Sequence, residues 1–98
     1  RQRRERAARG LATALAAGRP DALWAHAEAY ESGFPLPRDP MRALAHVIAW
    51  RQVSGAAPNL DRVRGMKEAE LRTTLAAAEV AQAERLAQSL AACCGGRR

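Results

Sequence analysis

Two histidines and two cysteines, His26, His46, Cys93 and Cys94, are the residues best suited to bind a metal ion. Zinc is usually held by neutral imidazole and thiolate groups, and zinc sites show short spacings between ligands, such as C-x-x-C. Here the cysteines are adjacent and the histidines lie in different segments, so this spacing is absent. We therefore predict no metal site and no cofactor. The histidines are expected to pack, partly buried, where two helices cross.

The adjacent pair Cys93 and Cys94 follows the last helical pattern of the chain. A disulfide between neighbouring residues closes a strained eight-membered ring, so we expect no disulfide here. Residues 93–98 are expected to form a flexible tail.

The sequence contains no motif of a phosphate-binding loop or of a common hydrolytic site. The patterns G-x-x-x-x-G-K-[ST], G-x-G-x-x-G, H-E-x-x-H and G-x-S-x-G are all absent. Ser32, Ser54 and Ser89 lie in no context that would activate a nucleophile. We therefore predict that the chain is not an enzyme.

The net charge of +6 arises at the two ends of the 98-residue chain. Residues 1–9 contain five arginines and one glutamate, the chain ends on Arg97 and Arg98, and charges balance in between. We call Arg1, Arg3, Arg4 and Arg6 the basic arm. The pattern favours a solvated arm, and the alternatives are an arm that binds nucleic acid, another anionic polymer or lipid, and the upstream flank of a helix.

The apolar residues point to closely packed helices. They make up 48% of the chain, yet 24 of them are alanine and only 4% of all residues are aromatic. Alanine has the highest helix propensity, whereas sheets need β-branched and aromatic faces, so the composition predicts an all-α fold. No apolar stretch reaches the roughly 20 residues of a membrane span. We expect a soluble piece of a longer protein, cytoplasmic or periplasmic.

Apolar residues at helical spacing predict five helices, and the short connections make sequential neighbours antiparallel. The fourth and fifth helices are separated least clearly, with a break near residues 73–76. Turn residues mark the other ends: Gly18, Gly33, the pair Asp39-Pro40, and Asn59 or Asp61 as caps of the fourth helix. The predicted apolar stripes are Ala8, Leu11, Ala12 and Leu15; Leu23, Ala27 and Tyr30; Ala43, Leu44, Val47, Ile48 and Trp50; Val63, Met66, Leu71 and Leu75; Val80, Ala83, Leu86, Ala87 and Leu90.

One segment carries a repeat pattern. From Ala22 to Gly33 the chain reads A-x-W-x-H-A-x-x-Y-x-x-G, and it continues F-P-L-P-R-D-P-M-R-A-L to Leu44. This resembles the Sel1-like repeat, a relative of the tetratricopeptide repeat. The positions in register are Ala22, Ala27, Tyr30, Gly33, Leu36, Asp39, Arg42 and Ala43.

The resemblance implies antiparallel helix pairs in a short right-handed α-solenoid. It places one repeat at 22–55 and, as in bacterial Sel1-like arrays, a closing helix at 75–92, within a single domain at 1–92. Small residues at Ala22, Ala27 and Ala43 would let two helices approach closely, with Tyr30 at their crossing. Gly33 would take a positive φ, and Asp39 would cap the second helix of the pair.

The same resemblance implies a non-catalytic protein–protein interaction or scaffold module that binds a peptide or a protein surface. A solenoid collects such contacts on one face, and the residues expected to contact a partner are Trp24, Phe34, His46 and Trp50. The exposed ends of the array would also allow two copies to pair. The alternatives are nucleic-acid binding through the basic arm, and a structural cap of a larger repeat protein.

Overall fold

The computed structural model describes residues 2–55 and 62–94, and these form five α-helices with no strand. The helices are α1 (Gln2–Ala16), α2 (Pro20–Ser32), α3 (Pro40–Ser54), α4 (Arg62–Thr74) and α5 (Ala77–Ala91), followed by a 3-10 turn (Ala92–Cys94). The chain is therefore all-α, as its composition predicts. Within the described ranges, no helix has the length and apolarity that crossing a membrane requires.

Helices α2 and α3 form an antiparallel pair. The aromatic contacts between them join Trp24 to Trp50, His26 to His46, and Tyr30 to His46. Residue numbers fall along α3 as they rise along α2, which is the signature of antiparallel packing. The predicted antiparallel arrangement of sequential helices is confirmed for this pair.

Helix α4 runs parallel to α2. Arg64 contacts Trp24, and Lys67 contacts Glu31 further along each helix in the same direction. Helix α3 packs between α2 and α5 and also contacts α4. Both α4 and α5 therefore pack on α3, and the predicted right-handed superhelix stays a prediction.

Local chemistry explains the turn between α2 and α3. Gly33 ends α2 with a φ of 87°, a conformation that costs glycine nothing but strains other residues. Pro40 begins α3, and the Asp39 carboxylate accepts a hydrogen bond of 3.1 Å from the Arg42 N–H. Both predictions made for this turn, the positive φ of Gly33 and the cap at Asp39, are confirmed.

The core is centred on α3. Every residue from Ala43 to Trp50 is buried, and Leu23, Leu44 and Val47 are the largest side chains with almost no exposure. Alanines fill the helix contacts, because a small side chain allows two helix backbones to approach closely. These buried alanines are Ala22, Ala27, Ala29, Ala43, Ala45, Ala49, Ala83, Ala87 and Ala91.

The expected break between the fourth and fifth helices is present. Helix α4 ends at Thr74 and α5 begins at Ala77. The Glu79 carboxylate accepts a hydrogen bond of 3.0 Å from the Ala76 N–H, which satisfies one backbone donor at the start of α5. The proposed caps of α4, Asn59 and Asp61, lie outside the described residues.

Two predictions about the cysteines are wrong. The sulfurs of Cys93 and Cys94 are bonded to each other, in a 3-10 turn that follows the last α-helical residue. Cys94 packs against the core, and the Cys93 carbonyl lies against the turn at Gly18, so neither residue belongs to a free tail. Residues 95–98 lie outside the described part of the chain.

Candidate functional site

A groove separates α1 from α2, and we call it the α1–α2 groove. Its volume is about 340 Å³. Helix α1 buries no residue completely, and its small side chains leave a space along α2 instead of filling it. Apart from Glu28 and Ser32, the side chains that line the groove are apolar: Ala7, Leu11, Ala25, Ala29, Phe34 and Pro35.

Phe34 stands at one end of this groove with 47% of its surface exposed. The guanidinium carbon of Arg4 lies 5.1 Å from the centre of the Phe34 ring, within the range of a cation–π contact. Arg4 also donates hydrogen bonds to the carbonyls of Gly33 at 3.3 Å and Pro35 at 3.0 Å. The ring is therefore exposed, yet Arg4 binds the backbone on both sides of it.

The basic arm is part of a folded helix. Arg3, Arg4 and Arg6 all lie in α1, so the structure bears out the alternative that they flank a helix and not the favoured solvated arm. The reason is that α1 extends over α2 and that Arg4 binds the loop after α2. Arg3 and Arg6 are exposed and have no ion pair or hydrogen bond within residues 2–55 and 62–94. Arg1 lies outside the described residues.

The two tryptophans predicted to contact a partner are covered by α4. Their rings lie 5.6 Å apart at an angle of 58°. The guanidinium carbon of Arg64 is 4.6 Å from the centre of each ring. Trp50 is 6% exposed and Trp24 is partly buried. The prediction that Trp50 anchors a partner is therefore wrong, because the chain itself covers this ring.

The two histidines meet at the α2–α3 crossing, as expected. Their rings stack almost parallel, with centres 5.2 Å apart and an angle of 6°. In each ring Nδ1 lies 2.8 Å from a backbone carbonyl four residues earlier, that of Ala22 for His26 and of Arg42 for His46. A carbonyl oxygen only accepts hydrogen bonds, so Nδ1 carries the proton in both rings.

His46 is buried against His26 and Tyr30 and cannot reach a partner, so its prediction as a partner-binding residue is wrong. Burial is the main reason that the pKa of His46 falls to about 4. The hydrogen bond to the Arg42 carbonyl raises the pKa, and the positive charges of His26 and Arg42 lower it. The part of the chain that the structure describes contains no group of three residues suited to hold a metal ion.

Helix α4 packs through polar side chains, a feature that the apolar pattern missed. Glu68 accepts hydrogen bonds of 2.8 and 3.0 Å from Arg51 of α3 and of 3.1 Å from Arg72. Leu71 is the only residue of α4 that is buried. Val63 and Met66, expected on the packed face, are 73% and 65% exposed. They line a second hollow of about 340 Å³ on the outer side of α4, with Lys67 and Glu70.

Comparisons of the chain with models of known protein families, with curated proteins and with solved structures find no match. The likeness to Sel1-like repeats therefore depends on the pattern between Ala22 and Leu44. Of the four residues predicted to contact a partner, Phe34 is the one that the structure exposes, while Trp24 is half-covered and His46 and Trp50 are buried.

Proposed function

We propose that the chain is a non-catalytic protein-interaction module of the Sel1-like type, and that the α1–α2 groove receives an apolar segment of a partner protein. Phe34 is the observation that carries this proposal. Exposure of a large aromatic ring to water is unfavourable, and aromatic side chains are common anchors of protein interfaces. Arg4 fixes this ring beside the groove, so little freedom is lost when a partner covers it.

The arrangement of the helices supports a binding role for this surface. The α2/α3 pair is a firmly packed hairpin with a capped turn, and α1 lies on it as a peripheral helix. Binding residues are commonly placed on loops that a rigid framework holds, and Phe34 and Pro35 lie in the loop after α2. Apolar side chains that enter the groove would bury the ring of Phe34 and the walls formed by Ala7, Leu11 and Ala29.

The polar groups of the groove support binding over catalysis. They are the Glu28 carboxylate and the Ser32 hydroxyl. Ser32 Oγ donates to the carbonyl of Phe34 at 3.1 Å and lies 3.4 Å from that of Ala29. This hydroxyl therefore caps the end of α2, and the described residues place no base in position to activate it.

Selection from a library of random peptides tests the proposal. The immobilised chain should enrich peptides of about 16 residues, the length of a helix of four to five turns, that carry apolar residues on one face. Phe34→Ala should lower the affinity for the selected peptides about tenfold or more, as expected when an interface anchor is removed. Val63→Ala is the matched control, since Val63 is a similarly exposed apolar residue on α4, away from the groove.

Two results would contradict the proposal. A library that yields no enriched peptide would argue against a binding role. Peptides that bind Phe34→Ala as well as the unchanged chain but lose affinity for Val63→Ala would place binding on α4 instead.

A further inference from the structure

Helix α1 carries four arginines and one acidic residue, Glu5. On the other helices, Arg51, Lys67 and Arg72 form ion pairs with acidic side chains at 2.7–3.2 Å. Three exposed arginines of α1, like Arg62 of α4 and Arg85 of α5, have no ion pair or hydrogen bond within the described ranges, but only α1 carries three of them. We call these residues, Arg3, Arg6 and Arg9, the arginine stripe.

The arginine stripe begins beside the α1–α2 groove. Its members are three residues apart, so they lie on successive turns and span about 9 Å along the helix. Arg3 precedes the groove residue Ala7 by four positions, which places it one turn from the groove wall on the same side of α1. The stripe then winds around α1 away from the groove. A segment in the groove therefore passes closest to Arg3, and Arg6 lies about 100° around the helix from Ala7.

The opposite wall carries the opposite charge. Glu28 of α2 is exposed, lines the groove, and forms no ion pair within residues 2–55 and 62–94. The groove is thus apolar on its α1 side, where Arg3 lies one turn beyond Ala7, and it carries a negative charge at Glu28 on its α2 side. Such a surface distinguishes the two flanks of a helix that lies in it.

We propose that the partner segment is an amphipathic helix with one acidic flank, a proposal that rests on the proposed function of the groove. Its apolar face enters the groove and covers Phe34, and its acidic flank faces Arg3 and Arg6. Guanidinium groups hold carboxylates through paired hydrogen bonds, and an uncompensated positive surface attracts an acidic segment as it approaches.

The surroundings of the arginine stripe favour an acidic protein segment over nucleic acid. The floor of the groove is lined by alanine and leucine, which suit aliphatic side chains better than bases. Phe34 is the one aromatic ring that lines it among the described residues, whereas strands of nucleic acid are usually held by several stacking rings. Glu28 would also repel phosphate groups that approach along the groove.

Fluorescence anisotropy with four labelled probes tests this proposal. Three are amphipathic peptides of about 16 residues with the same leucine and alanine face, and with glutamate, glutamine or lysine on one flank. The fourth is a single-stranded oligothymidylate. We expect the glutamate peptide to bind about tenfold more tightly than the glutamine peptide in low salt, and the difference to shrink as salt is added. The lysine peptide should bind more weakly than either.

Variants assign the preference to the arginine stripe. Arg3→Gln, Arg6→Gln and Arg9→Gln together should lower the affinity for the glutamate peptide about tenfold and leave that for the glutamine peptide unchanged. Arg62→Gln with Arg85→Gln is the control, because both arginines are exposed and lie on α4 and α5. Glu28→Gln should raise the affinity for the glutamate peptide. Circular dichroism should show the same helix content for the variants and the unchanged chain, because all the replaced side chains are exposed.

Each remaining outcome overturns a stated part. If the glutamate and glutamine peptides bound equally well and Phe34→Ala abolished the binding of both, the proposal of an acidic flank would be wrong and the proposed function of the groove would stand. If no peptide bound, the proposed function would fall as well. If the oligothymidylate bound more tightly than the glutamate peptide, with a steep dependence on salt that the triple variant abolished, the arginine stripe would be a nucleic-acid site.

Discussion

The imidazole rings of His26 and His46 stack almost parallel, with their centres 5.2 Å apart. Each ring donates its Nδ1 proton to a carbonyl on its own helix, so the stack joins α2 to α3 at the centre of the hairpin. Protonation of His46 would place a positive charge in this stack, where burial keeps water away. Acid should therefore weaken the hairpin.

Acidification should destabilise the fold through His46. Its folded pKa of about 4 lies below the usual 6.5, so the unfolded chain binds more protons between these values. The contribution of neutral His46 is complete above pH 6.5 and is lost as pH falls to 4, a loss of about 3 kcal/mol. Urea denaturation from pH 7 to 4 should show it. His46→Phe, which cannot titrate, should lose less stability over this range, and an equal loss would contradict the prediction.

Arg64 should hold α4 against the α2/α3 hairpin through its contacts with both tryptophans. Arg64→Ala removes two cation–π contacts at 4.6 Å and should lower the free energy of unfolding by about 1–2 kcal/mol. Water that reaches Trp24 should shift the tryptophan emission to longer wavelength. Arg62→Ala, on the exposed side of the same helix, should change neither quantity. Equal stabilities of the two variants would refute the role of Arg64.

Glu68 should contribute more than other surface carboxylates. Burial by itself would raise the pKa of Glu68, but the hydrogen bonds and charges of Arg51 and Arg72 lower it below its usual value. Glu68→Gln breaks charge-assisted bonds at a side chain that is only 13% exposed, and should cost about 1–3 kcal/mol in denaturant unfolding. Because the folded pKa is lowered, the contribution is present near neutral pH and is lost on acidification.

Glu70→Gln is the matched control for Glu68→Gln. Its side chain is 66% exposed and pairs with Lys67 on the same helix, so its removal should cost no more than about 0.5 kcal/mol. If both variants lost the same stability, Glu68 would be an ordinary surface ion pair.

The features predicted correctly from sequence depend on local chemistry. The cap at Asp39 and the positive φ of Gly33 are set by residues within one turn, and the small alanines of α2 and α3 identify the faces that touch. A short pattern therefore contains enough information to predict them. The break between α4 and α5 belongs to the same class, since Glu79 lies three residues from the backbone group that it satisfies.

The incorrect predictions concern contacts between distant segments. Apolar spacing placed Val63 and Met66 on the packed face of α4, but the face that packs carries Arg64 and Glu68. These polar groups pack because Trp24 and Trp50 on other helices form a surface for a guanidinium, and no local pattern reports that surface. The available signal was the spacing of Arg64, Glu68 and Leu71, which are four and three residues apart and so lie on one face of α4.

The charge at the N-terminus illustrates the same limit. Arginines at the start of a chain suggest a free arm, yet the contact that folds them into the molecule is made with the loop after α2, 29 to 31 residues further along the chain. Arg4 reads as one more positive charge in the sequence. In the structure it is the residue that positions Phe34, and the neighbouring Arg3 and Arg6 become part of a defined surface.

Two glycines should respond oppositely to replacement by alanine. Gly33 has a φ of 87°, and a Cβ there would lie 3.5 Å from the Arg38 Cβ, which is ordinary contact. The penalty of Gly33→Ala is therefore that of the backbone conformation, about 1–2 kcal/mol. Gly10 lies inside α1, and a Cβ added there would meet nothing within 4 Å, so Gly10→Ala should add about 0.5–1 kcal/mol to helix stability.

Thermal unfolding followed by circular dichroism separates these two effects. Gly33→Ala should lower the melting temperature of the whole chain, because the turn at Gly33 sets the geometry of the α2/α3 hairpin. Gly10→Ala should raise the helix signal before the main transition, because α1 is peripheral and makes few contacts of its own. Gly33→Asn should fall between glycine and alanine, since asparagine tolerates the left-handed conformation better than alanine does. If Gly33→Ala and Gly10→Ala had the same melting temperature, the strain assigned to this turn would be absent.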